Sequence, residues 1–283
     1  MQFVDVKTDI AFKKVFGSEQ HKDVLIAFLN AILDLNGERQ IKSVTLKNPW
    51  QPPDISILKE TILDIKAVDN RDVSFIIEMQ VEKKYAFKKR TLYYTSKAYT
   101  SQIEVGDDYP KLNQVIFIGI LDFKCFEGSD YLTRHLILNQ STQKQELKDL
   151  EFNFVELPKF NKNEEQLEGV IDKWVYFIKN AGSLSMIPKS AELTPGLHEA
   201  YNQASVFSWS KEELNVYEYR RMEETSDRYK MQEEYEKGIE KGKIEVALEM
   251  IKDGESDEKI LRYTGLSLSE MTELRSRCMK QTT

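Results

Sequence analysis

Two stretches in the middle of the chain alternate apolar and polar residues with a period of two. They are residues 61–68 and 73–81, and only the polar Asp69-Asn70-Arg71-Asp72 separates them. Such a pair predicts an antiparallel hairpin. Thr61, Leu63, Ile65 and Ala67 share one face of the first strand. Val73, Phe75, Ile77, Met79 and Val81 share one face of the second. Both sets are expected in the core. The opposite face then carries Asp64 and Lys66 from one strand and Glu78, Gln80 and Glu82 from the other.

The elements around this hairpin set the fold class. Residues 10–33 repeat apolar positions at helical spacing, with Ser18 as a candidate N-cap for the second stretch and Asn36-Gly37 as its stop. Residues 41–46 read as a strand, and the run Asn48-Pro49-Trp50-Gln51-Pro52-Pro53 as a break. A basic helix is expected over residues 81–100, where Lys83, Lys84, Lys88, Lys89, Arg90 and Lys97 face one acid, Glu82. Residues 114–123 read as a strand whose apolar run, Val115 to Leu121 counting Gly119, is continuous, the signature of a strand covered on both faces. Residues 132–138 and 152–157 suggest a further hairpin. The order is that of a mixed α/β layered domain ending near residue 160. Residues 164–180 then read as an amphipathic helix, and 186–196 as a connector. Residues 211–245 hold 11 acids and 8 bases, a solvated helix weakened at Gly238 and Gly242. Two short helices around Thr264-Gly265 close the chain.

Several function classes lose their support. The longest apolar run, Val115–Leu121, is far short of the ~20 residues that span a bilayer, so no membrane association is expected. The N-terminus lacks a secretory pattern, and the expected location is the cytoplasm. Two cysteines and three isolated histidines offer no zinc or disulfide spacing. There is no HExxH, GxSxG, GxxxxGK[ST] or GxGxxG motif. Lys and Arg total 40 against 47 acids, a net charge of −7, so any contact with DNA must come from a local basic patch.

The shared parity of Asp64 and Glu78 carries the chemistry. Any register that turns both odd faces inward brings these carboxylates together. Two carboxylates held side by side repel unless one is protonated or a cation lies between them. A hard divalent ion suits such a pair, with Gln80 beside it and the Met79 carbonyl as a neutral oxygen ligand. The same pattern is equally what a half-exposed hairpin shows, with Lys66 neutralising an acid across the sheet. The basic stretch reads either as a phosphate-gripping surface or as a solvated helix face over packed tyrosines. The tail, with five bases and four acids over residues 256–280, has no basic footprint and reads as a helical hairpin.

Four ordered blocks resemble a known family. They are Lys7-Thr8-Asp9-Ile10-Ala11-Phe12-Lys13-Lys14-Val15-Phe16-Gly17, Ile62-Leu63-Asp64-Ile65-Lys66-Ala67, Ile77-Glu78-Met79-Gln80 and Lys89-Arg90-Thr91-Leu92-Tyr93-Tyr94. Together they are similar to the PD-(D/E)xK nuclease family transposases, also called recombination-promoting nucleases. The likeness covers roughly residues 5–160. It implies a restriction-endonuclease-like core, a mixed central sheet flanked by helices, over residues 1–160. A helical extension packing on that core is expected over 161–210, and a charged helix with a helical hairpin tail over 211–283. The implied activity is Mg2+-dependent endonucleolytic hydrolysis of DNA, with Mn2+ as a substitute ion, linked to mobile elements, recombination or defence. Asp64 and Glu78 match the acidic metal ligands, with Met79 completing the set. Gln80 stands where most of the superfamily has lysine; it holds water but brings no charge. Lys66 is the candidate to supply that charge. Lys13, Lys83, Lys84, Lys88, Lys89 and Arg90 are the expected DNA contacts, and the C-terminal helices a candidate surface for self-association. Asp9 matches more weakly, because an acid in a first helical turn has a structural explanation in the helix dipole. The rival readings are a catalytically weak or inactive DNA- or protein-binding module, and a scaffold without nucleic acid.

Overall fold

The computed structural model describes residues 2–51 and 61–281; the expected break at Pro52-Pro53 lies outside them. The chain divides into two compact units, Met1–Glu218 and Tyr219–Thr283.

The first unit is built on a six-stranded mixed sheet. Its strands are β1 (Val44–Lys47), β4 (Ile65–Asp69), β5 (Ser74–Gln80), β6 (Val115–Leu121), β8 (Leu150–Glu156) and β7 (Leu132–Leu136), in that spatial order. β1, β4 and β5 form an antiparallel meander. β5, β6 and β8 run parallel, and β7 returns antiparallel at the edge. A small pair, β2 (Trp50–Gln51) and β3 (Thr61–Ile62), stands apart. The antiparallel hairpin expected from the alternating runs is therefore β4–β5. Its turn is fixed by the Asp69 carboxylate, which accepts from the backbone N–H groups of Arg71 and Val73 and from the Arg71 guanidinium.

Helices cover both faces of the sheet. On one side lie α1 (Asp9–Phe16), α2 (Lys22–Ile32), α4 (Val170–Asn180), the short α5 (Lys189–Glu192) and α6 (Leu197–Ala204). Their Phe12, Phe16, Phe28, Trp174, Phe177 and Tyr201 pack in one cluster with Ile65, Ala67, Phe75, Ile77 and Ile118 of the sheet. Such a cluster supplies most of the drive to fold, at about 25 cal/mol per Å² of apolar area buried. On the other side lies α3 (Phe87–Thr100), the crossover between parallel β5 and β6. There Phe87 and Ala98 meet Ile76, Val115, Phe117, Leu121, Phe152 and Phe154. This is the mixed central sheet flanked by helices that the resemblance implies. Val115–Leu121 is buried along its whole length, as a run free of polar side chains predicts.

Four local expectations differ from what the chain does. The run 61–68 is not one strand: it breaks at Leu63-Asp64, where the Leu63 N–H donates to the Pro49 carbonyl instead of a ladder partner. Leu63 consequently packs on the α3 side, opposite Ile65 and Ala67. The even positions of β5 are not a solvent face either: Ser74, Ile76 and Glu78 are all buried, Ile76 against Phe87 and Ala98 of α3. The basic helix starts six residues late, at Phe87: cations at a helix N-terminus oppose its dipole, and Ala86 takes a left-handed conformation with φ 58°. Ser18 does not cap α2; its hydroxyl accepts from the Gln20 N–H, and the helix begins at Lys22.

One residue in β6 breaks the apolar run for a reason. Gly119 is the register partner of Glu78, and a Cβ built there would lie 2.9 Å from the Phe154 ring. The space beside Glu78's neighbour is thus filled by an aromatic side chain from β8.

The helix α7 (Lys211–Lys252) runs from the first unit into the second without interruption at Gly238 or Gly242. In the second unit α8 (Asp257–Thr264) ends on Gly265 at φ 65°, the left-handed C-cap glycine suits. The α9 helix (Leu268–Gln281) follows. Ile260, Leu266, Met271 and Leu274 pack with Ala247 of α7 in a small core. Among the described residues no helix is long and apolar enough to cross a membrane.

Candidate active site

The break before β4 and the buried middle of the sheet converge on two carboxylates. The β4–β5 register pairs Ile65 with Ile77, so the next pair toward the break is Asp64 and Glu78. The two residues interlock through their backbones. The Met79 N–H donates to Asp64 Oδ2 at 2.7 Å, and the Asp64 N–H donates to Glu78 Oε1 at 3.3 Å. Leaving the ladder at Leu63-Asp64 is what frees the Asp64 N–H for this contact.

Both acids are largely removed from water; Glu78 is only 4% exposed. Burial pushes the Asp64 carboxyl up to about 6 from 3.8, against the hydrogen bond from Met79 and the charge of Lys13. Burial, followed by the Asp64 charge, pushes Glu78 up to about 8 from 4.5. The pair is short of positive charge.

Three cations bear on that deficit. Lys13, on α1, lies with Nζ 3.9 Å from Asp64 Oδ1 and 2.6 Å from Asp9 Oδ1, so it bridges the helix acid and the sheet acid. Lys84 acts on Asp64, and Arg90 on Glu78, both across space. Arg90 is held in place by the Tyr94 hydroxyl, which accepts from its guanidinium at 3.1 and 2.9 Å. The Gln80 amide nitrogen donates to Glu78 Oε2 at 3.4 Å and to the Met79 carbonyl at 3.2 Å. It touches the same oxygens that the sequence reading assigned to a cation.

The remaining candidates are placed elsewhere. Lys66 is half-buried in β4, opposite Ile76 and Lys47, and burial and the Lys47 charge lower its pKa. No hydrogen bond or ion pair joins it to Asp64 or Glu78. The basic stretch divides as well. Lys88 turns away, its ammonium 4.6 Å over the Phe126 ring, and its charge with that of Lys83 acts on Cys125. Lys89 is exposed on α3.

One feature escaped the sequence reading. Glu156, at the end of β8, is fully buried, and its Oε1 accepts from the Cys125 N–H at 2.6 Å and the Phe126 N–H at 3.2 Å. Its other oxygen pairs with Lys159 at 2.7 Å. An acid closing an apolar run reads as ordinary solvent exposure, so no pattern signals it.

Among the described residues no group of three or more His, Cys, Asp or Glu side chains is placed to hold a metal ion. Two carboxylates plus a carbonyl still fit a hard cation such as Mg2+, which typically takes one or two carboxylates and completes its shell with water. The raised pKa values of the pair are the electrostatic mark of that fit.

No curated protein and no solved structure matches the chain. A family model described as PD-(D/E)XK nuclease family transposase matches residues 6–234, well over half the chain. The match takes in Asp9, Lys13, Asp64, Glu78 and Gln80 together with the six-stranded sheet, and so the chain belongs to the PD-(D/E)XK nuclease family transposases.

Proposed function

We propose that the protein is a divalent-cation-dependent endonuclease that hydrolyses phosphodiester bonds in DNA, with Mg2+ as its ion and Mn2+ as a substitute, in the service of mobile elements, recombination or defence. The observation that carries the reading is the buried Asp64–Glu78 pair. Burying two acids side by side without a partner is strongly unfavourable, and a doubly charged ion relieves it.

Asp64, Glu78 and the Met79 carbonyl would hold the ion. When bound, it supplies polarisation of a phosphate oxygen and a more acidic water. Gln80 orients the attacking water through its amide but contributes no charge. Lys13 supplies positive charge beside Asp64, the part the sequence reading gave to Lys66. Lys84 and Arg90 add to the same field and draw the phosphate backbone toward the acids. Water adds to phosphorus as the bond to the leaving oxygen breaks, and no covalent link to the protein is required.

Nicking of supercoiled plasmid tests this. The wild type should cut with Mg2+ or Mn2+ and stop with EDTA, while Asp64→Ala and Glu78→Ala should not cut. Equal nicking by all three proteins would point to a contaminant and sink the enzyme reading. One observation favours a second reading: the amide at position 80 is neutral and already engaged with Glu78 and Met79. If none of the proteins cuts but all retard DNA, the chain is a DNA-binding module.

A further inference from the structure

The loop between β5 and α3 carries a feature that metal chemistry does not use. Tyr85 is 99% exposed. Single exposed aromatics are common and need no explanation by themselves. The surroundings of this one are particular. Lys83 and Lys84 precede it, both exposed, and from Lys83 to Ile103 the chain holds no acid. Tyr85 follows Gln80, the last residue of β5, by five positions, so the loop that carries the ring leaves directly from the strand that carries Glu78.

The loop is also anchored. On one side it is tied to β5. On the other Phe87 is buried, its ring edge-on to Phe123 at 5.7 Å and to Phe154 at 6.1 Å. Between them Ala86 holds a left-handed conformation that non-glycine residues adopt at a penalty. A fixed turn thus presents the ring to solvent within a basic surface.

We infer that Tyr85 is a stacking platform for an unpaired base of the DNA strand that the acid pair cuts. The inference rests on the nuclease reading and narrows its substrate to single strands, flaps or frayed ends. In an intact duplex each base is already stacked between its neighbours, so the lysines meet phosphates while the ring finds no free face. In a single strand every base offers a π-face, and cationic side chains follow the backbone beside it. Lys83, Lys84 and Lys89 supply that track.

The test is a binding titration of the full chain in EDTA, so that binding is read without cutting. One probe is a single-stranded oligonucleotide carrying 2-aminopurine, the other a blunt duplex of the same length. Because the Tyr85 ring is solvated, Tyr85→Ala should fold normally, which circular dichroism checks. Base–aromatic stacking predicts that Tyr85→Ala loses about tenfold or more in affinity for the single strand and little for the duplex. Tyr85→Phe should bind as the wild type does, and Tyr85→Trp should show indole quenching on the single strand only. Unchanged single-strand affinity in Tyr85→Ala, equal losses on both probes, or no binding by the wild type would each overturn the inference. Plasmid nicking by the same preparations separates the two readings. Cutting with unchanged Tyr85→Ala binding rejects stacking alone, and a Tyr85-dependent single-strand preference without any cutting rejects the nuclease alone.

Discussion

Raising the pH from 6 to 8 should tighten divalent-ion binding by about two orders of magnitude. With Asp64 held at about 6 and Glu78 at about 8, a site that needs both ionised is ready in about 1 molecule in 200 at pH 6 and about 1 in 2 at pH 8. Near pH 7 the arriving ion displaces about one proton from the pair. Isothermal titration of Mn2+ in two buffers of different ionisation enthalpy counts that proton directly. In Glu78→Gln the release should vanish together with most of the affinity. Stability follows the same groups. Both folded-state values lie above the ordinary 3.8 and 4.5, so between about pH 4 and 8 the folded protein holds more protons than the unfolded one. The thermal midpoint of the ion-free protein should therefore fall as pH rises through that window, and a saturating divalent ion should flatten the fall. Ion affinity constant from pH 6 to 8, with no proton released, would refute the argument.

Other outcomes follow from single contacts. Lys13→Ala should reduce the cleavage rate by about a hundredfold while Lys66→Ala keeps most of it, because Lys13, unlike Lys66, pairs with Asp64; single-turnover rates on one oligonucleotide decide this. Glu156→Ala takes the ion-pair partner from the largely buried Lys159 ammonium, leaving it the Phe126 and Glu127 carbonyls, and should destabilise the first unit by about 3 kcal/mol in urea unfolding. Gly238→Ala and Gly242→Ala meet nothing within 4 Å and should each stabilise α7 by about 1 kcal/mol, seen as a higher melting temperature of its helical signal.

The pairing of Asp64 with Glu78 was legible because a period of two fixes the face of a side chain whatever the exact register. The break at Leu63-Asp64 was not, since the alternation continues through it while the hydrogen bonding does not. Parity also could not separate Lys66 from Lys13. Lys66 shares a face with Asp64 but stands about 7 Å along the strand, whereas Lys13 arrives from a helix more than fifty residues earlier in the chain. The burial of Glu78 depended on packing over that face of β5, a tertiary event that alternation within a hairpin does not encode. Tyr85 carried no signal at all, because exposure of one aromatic in a basic stretch looks the same as burial until the turn at Ala86 is known.

Gly119 gives the acid pair a remote tuning point. By omitting a side chain at the position paired with Glu78, β6 leaves room for the Phe154 ring of β8, and burial is the largest influence keeping the Glu78 proton in place. Shaving Phe154 to leucine would admit water, make Glu78 more acidic and shift the pH at which the site accepts an ion downward, without touching any group that meets the substrate. The acidity of this centre is set from two strands away.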